Sequence, residues 1–290
     1  MKLSPSLIIL SACLSLVSCQ KEMVATVEDV TESIKSDLNV QVQYDDVFEN
    51  VVGISSTAAG EDLGLFGSFG AGIFQSAAGI TTEQSAIDCG TLTITPATVG
   101  VFPKTVVIDF GTGCTKGSRI RKGKIITVYT GPLKEIGSKA TTTFEGFYID
   151  TFKIEGTHIV QNTSDRLTNT RQLTREIQNG KVSNVNTNLW VQINEARIIT
   201  QSSGSDTPLN PLDDVFQAVF DRSALNNLGK TWSAKTISPL IRPLVCEFIT
   251  KGTIELKWGS KTGTIDFGDG TCDDLATISS GLITKTINLK

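Results

Sequence analysis

The words IDFGTGC (residues 108–114) and IDFGDGTC (residues 265–272) stand about half the chain apart, and each writes a strand end, a glycine turn and a cysteine. The agreement extends outward. Cys89 precedes Cys114 by 25 residues, Cys246 precedes Cys272 by 26, and a glycine follows each second cysteine nine residues on, at Gly123 and Gly281. This spacing suggests an internal duplication. The midpoint of the second pair falls on Gly259 in WGSK, and that of the first falls at Val101–Phe102, between Gly100 and Pro103. Each pair therefore brackets a hairpin. Antiparallel strands folded about such midpoints set the two cysteines opposite one another, at a separation a disulfide accepts. Four cysteines allow three pairings, and the symmetry favours Cys89–Cys114 and Cys246–Cys272, each worth roughly 3.5 kcal/mol by loop closure. Buried free thiols are the alternative reading, and a zinc site lacks a close C-x-x-C pair.

Outward from these words the chain reads with a period of two. TLTIT (91–95), KTVVIDF (104–110), KIITVYT (124–130), TTTFEGFYI (141–149), FKIEGTHIV (152–160), KVSNVNTNLWVQI (181–193), TWSAKTI (231–237) and FITKGTIELKW (248–258) are rich in Val, Ile, Thr and aromatics. Asn179-Gly180, Gly259-Ser260 and Asp269-Gly270 are turn signals between them. Residues 211–229 carry apolar residues at helical spacing, yet their β-rich flanks and the turn at Asn226–Gly229 favour a strand. The expected fold is all-β, an antiparallel meander in an open or curved sheet, a sandwich or a partly closed barrel, over residues 85–290. A short helix precedes it, because Thr26 with Asp29 forms a capping box and Val27, Val30, Ile34 and Leu38 recur at helical spacing. Residues 53–84, rich in Gly, Ala and Ser with Phe66, Phe69 and Phe74, read as a linker.

The first nineteen residues bear on compartment. Lys2 precedes an apolar run at 7–17 that is too short to span a bilayer, and LVSC follows at 16–19. This resembles a bacterial lipobox. The resemblance implies removal of residues 1–18, a diacylglycerol thioether on Cys19, and a tether over residues 19–52. Gln20-Lys21-Glu22 resembles the short Lys-plus-acid signal of Bacteroidota surface lipoproteins, which implies the outer membrane, with the cell surface favoured over the periplasmic face. Export to an oxidising compartment also makes the two disulfides available.

Composition narrows the function classes further. At 290 residues, 39% hydrophobic and a net charge of −4, the chain is globular and an unpromising partner for nucleic acid. The basic run Lys116, Arg119, Arg121, Lys122, Lys124 reads as a solvated loop. His158, the one histidine, sits in a strand with no serine-plus-acid arrangement near it and reads as structural. Asp266, Asp269, Asp273 and Asp274 read as turn acids in preference to calcium ligands. No cofactor and no catalytic residue is expected, and the membrane, through the lipid, is the one expected partner.

Most of residues 85–290 resembles Bacteroidota lipoproteins that share IDFG-x-G-C, a following R-K-G-K-I strand (Arg121–Ile125) and a late C-x-F-I-x-x-G-x-I-E-L stretch (Cys246–Leu256). The resemblance implies an exported all-β lipoprotein and brings no activity with it. Three function classes follow: a non-enzymatic binding or structural scaffold, a carrier of lipid or lipoprotein with an apolar concave sheet, and a carboxylate-dependent hydrolase.

Overall fold

The period-two pattern builds one antiparallel sheet. A computed structural model describes residues 27–54, 63–64, 89–116, 119–167, 171–207, 211–281 and 283–289. Its strands are β1 (Thr91–Thr95), β2 (Lys104–Asp109), β3 (Cys114–Lys116), β4 (Arg119–Tyr129), β5 (Lys139–Ile149), β6 (Phe152–Asn162), β7 (Arg171–Asn184), β8 (Trp190–Ser203), β9 (Val215–Asn226), β10 (Thr231–Pro243), β11 (Lys251–Trp258), β12 (Lys261–Asp269), β13 (Leu275–Ser280) and β14 (Ile283–Asn288). Each pairs with its neighbours in chain order, except that β3 caps β4 beside β2. The result is the expected meander, and β1 and β14 end it on either side.

The helix α1 (Val27–Val52) contains the expected helical segment and runs on well past Leu38, while Thr26 of the capping box lies outside the described residues. Val40, Tyr44, Val47, Phe48 and Val51 are buried, and so are Gln43, Asp46 and Asn50 on its other flank. Only a sheet that curves around the helix can cover both flanks, and sheet twist supplies the curvature. Tyr129 of β4 donates its hydroxyl to the Val51 carbonyl at 2.7 Å, and Trp232 of β10 donates its indole N–H to Asp37 at 3.0 Å. Tyr129 ends its strand and Trp232 nearly begins its own, so the amino end of α1 points toward the 226–230 turn. The helix expected as part of the tether is thus the centre of the core. Ile54 and Leu63, from the segment read as linker, are buried too, and the Leu63 carbonyl accepts the Leu133 N–H at 2.9 Å. Cys19, the tether residues 19–26, Phe66, Phe69 and Phe74 lie outside the described residues.

Both cysteine pairs form as the spacing predicts. Cys89–Cys114 closes the open end of the β1–β2 hairpin and Cys246–Cys272 that of β11–β12, with Cα separations of 5.6 and 5.4 Å. The two IDFG words make the same turn, since Asp109 accepts the Gly111 N–H and Asp266 the Gly268 N–H, each at 2.8 Å. The likeness ends there. Gly123 lies within β4, where a Cβ would meet the Gly146 carbonyl oxygen at 1.9 Å, whereas Gly281 lies in the β13–β14 turn.

Two expectations are corrected. Asn179-Gly180 is no hairpin turn: β7 runs through it, and the ladder to β8 shifts register between Ile177 and Gly180. Asn179 does take the positive φ of 51° that the dipeptide favours, but it spends it on a bulge. Gly180 is required there because a Cβ would lie 2.6 Å from the Tyr44 hydroxyl of α1. The true turn falls at 185–189, inside the segment read as one strand. Likewise the basic run is strand, not solvated loop, and Arg121 within it is buried. Residues 211–229 form a short 3-10 turn and then β9, as their flanks indicated.

Candidate functional site

Inside the sheet the alternation that buries Ile193 and Ile199 also buries Glu195 and Arg197 between them. Lone buried charges are unstable, so each must find a partner. Glu195 is the hub. It accepts two bonds from Arg175 at 3.2 and 2.6 Å, two from Arg197 at 3.0 and 3.2 Å, and two from Arg222 at 2.9 and 2.7 Å. Helix α1 supplies the remaining carboxylates. Asp45 takes Arg175, Asp37 takes Arg222 at 2.5 Å, and Asp46 takes Arg121 of β4 through both oxygens. Three strands, β4, β7 and β9, are thereby clamped to one helix by arginines on its carboxylates, and Glu195 ties β8 to β7 and β9.

The electrostatics follow from this geometry. Burial alone would raise the Glu195 carboxyl, but the guanidiniums of Arg197, Arg175 and Arg222 outweigh it and hold the group well below the usual carboxylate range. Burial lowers Arg222, and the carboxylates of Asp37 and Glu195 more than restore it. Glu49, one turn beyond Asp45 and Asp46, behaves oppositely. Burial, and then the negative charges of Asp46 and Asp45, push it up to about 8, so it is protonated at neutral pH. Its Oε1 and the Nη1 of Arg121 are buried without a hydrogen-bond partner among the described residues.

His158 is fully buried on β6, with its ring edge-on to Phe48 at 6.2 Å. Neither ring nitrogen has a partner among the described residues, and burial followed by the Arg175 charge lowers it to about 3. It is a neutral packing group at physiological pH. The aspartates of the second repeat face backbone amides: Asp269 accepts the Thr271 N–H and hydroxyl at 3.2 and 2.8 Å, and Asp273 the Leu275 N–H at 3.0 Å. Among the described residues no group of three or more His, Cys, Asp or Glu is placed to hold a metal ion.

Beside the network, α1, strands β8, β9, β10 and β12 and the 247–249 segment leave an open pocket of about 150 Å³. Leu38, Phe216, Leu240, Phe248 and Phe267 make its apolar walls, and Arg197 and Asp45 stand at its edge. Its volume matches a cavity that holds a group of benzene size. No protein-family model, no curated protein and no solved structure matches the chain.

Proposed function

We propose that the chain is a lipid-anchored envelope protein of the outer membrane whose sheet serves as a non-enzymatic scaffold for binding at its surface. The observation that carries this reading is the filled interior. A carrier needs an open concave face, and here that face is occupied by α1, clamped by Arg121, Arg175 and Arg222. A hydrolase needs one protonated and one ionised carboxyl flanking a common cleft. Glu195 is ionised but spent on three arginines, the protonated Glu49 does not line the pocket, and of the two carboxyl residues that do, Asp45 and Glu247, the first is spent on Arg175. No helix among the described residues is long and apolar enough to cross a membrane. The support for anchoring at Cys19 is the lipobox-like LVSC at 16–19.

The experiment has two arms. Radiolabelled palmitate is expected to enter the wild-type protein and not Cys19→Ala, which leaves the membrane fraction. Membrane retention of an unlabelled Cys19→Ala protein from which residues 1–18 have been removed contradicts the anchor. Titration with a fluorescent fatty acid is expected to show no saturable uptake. Stoichiometric uptake that is blocked by Ala218→Trp, at the pocket wall, makes the protein a carrier instead.

A further inference from the structure

The residues next to the buried arginines are sent to the opposite face of the sheet. Arg121, Phe147, Ile154 and Val182 point inward and are buried, so Lys122, Tyr148, Lys153 and Ser183 point outward and are partly exposed. The register then assembles a row. Lys122 lies opposite Tyr148, Tyr148 opposite Lys153, Lys153 opposite Ser183, and Ser183 opposite Trp190. With strands about 4.8 Å apart, the row is about 19 Å long and its two rings are about 14 Å apart. Lys122 holds its Nζ 4.4 Å from the Tyr148 ring centre, and Lys181, two residues from Ser183, holds its own 4.7 Å from that of Trp190. Lys153 is paired with Glu155 at 2.7 Å, whereas Lys122 and Lys181 make no ion pair among the described residues.

We propose that this outward row is a binding track for an acidic polysaccharide. A sugar ring presents a face of polarised C–H groups, which suits the electron-rich face of an aromatic ring, and a uronic acid adds a carboxylate that suits an ammonium. Tyr148 and Trp190 offer two such faces in line, with lysines already poised at each. When a carboxylate draws Lys122 or Lys181 aside, the ring beneath is uncovered for the sugar. A neutral glycan leaves both lysines unused. The row runs along one end of the sheet, with Tyr148 and Lys153 beside the 150–151 turn and Ser183 and Trp190 beside the 185–189 turn, so a vesicle arm in the test separates a soluble polymer from an anionic bilayer. The row carries lysines and no arginine, the residue whose planar fork suits phosphate, and this favours the carboxylates of a uronic polymer over the phosphates of nucleic acid. The proposal rests on the envelope reading only for where such a polymer would be met.

The test is calorimetric titration of the full chain, purified in nonionic detergent, with polygalacturonate. Expected is saturable binding that weakens with salt, no binding of dextran, and a loss of about tenfold in affinity for Trp190→Ala and for Tyr148→Ala. Trp190→Ala keeps the backbone bonds between Trp190 and Asn227, and circular dichroism and a thermal melt establish that each variant is folded. Lys122→Glu with Lys181→Glu is expected to abolish binding. The proposal is overturned if polygalacturonate does not bind saturably, or if it binds and the aromatic variants are unchanged, which is charge attraction alone. It is equally overturned if single-stranded DNA or phosphatidylglycerol vesicles bind in its place and lose binding on Trp190→Ala. Membrane fractionation of Cys19→Ala tests the anchor separately, so either reading can fail while the other stands.

Discussion

The two faces of strands β4 to β9 are written one residue apart and follow opposite rules. Inward positions carry Arg121, Arg175, Arg197 and Arg222, each 9% exposed or less and each spent on a carboxylate. Outward positions carry Lys122 and Lys181, which lean on aromatic rings and pair with no acid among the described residues. The chemistry of the two side chains explains the division. A guanidinium is a rigid fork that satisfies buried carboxylates two bonds at a time, while an ammonium on a flexible stem keeps its hydration and stays available. Charge inside this sheet therefore serves architecture, whereas outside it Lys124 and Lys153 pair with acids and Lys122 and Lys181 stay available to a ligand.

The largest break in that comparison is expected at Glu195. Glu195→Gln removes the anion shared by three buried guanidiniums, and unfolding by denaturant should show a loss of about 3–5 kcal/mol. An unchanged midpoint would mean the network is not a clamp. His158 comes next. Its folded value near 3 lies below the ordinary 6.5, so the unfolded chain binds the extra proton and stability falls as pH drops through that window. Between pH 7 and pH 4 this group should cost roughly 3 kcal/mol, and His158→Leu should flatten that part of the stability curve. Glu49 acts with the opposite sign. Its value is raised from 4.5 to about 8, so its stabilising contribution is complete below pH 4.5 and disappears as pH rises through 8. Glu49→Gln, which mimics the protonated acid, should lose roughly 3 kcal/mol less than wild type between pH 6 and pH 9. Smallest of all, Lys122→Ala on the outer face should shift stability by no more than about 0.5 kcal/mol in the same melts.

Much of the scaffold was legible before any coordinates, because its signals are local. The cysteine midpoints marked both hairpins and both disulfides, and the aspartates of the IDFG words were readable as turn acids. The interior network was not. Ile193-Asn194-Glu195-Ala196-Arg197-Ile198-Ile199 places two charges on the apolar parity, which hid the continuation of β8, and β7 over 171–178 was lost for the same reason at Arg175. Charges at core parity are themselves a signal, yet their partners on α1 are 130 and 185 residues away in the chain. Asn179-Gly180 misled because its turn propensity is real but local, and the Tyr44 hydroxyl that makes the glycine necessary comes from the distant helix. The outward row was invisible for a related reason. Lys122 and Trp190 fall on one row only through four strand registers, and no one segment contains the pattern.

The central claim, that α1 is a permanent part of the core and not a removable plug, is tested most directly by native-state hydrogen exchange of the α1 amides from Val40 to Val51. They are expected to exchange only through global unfolding, with the same opening free energy as the central amides of β7 and β8. Exchange of these helix amides at a clearly lower free energy, while β7 and β8 stay protected, would show that the helix leaves an intact sheet and would contradict the account.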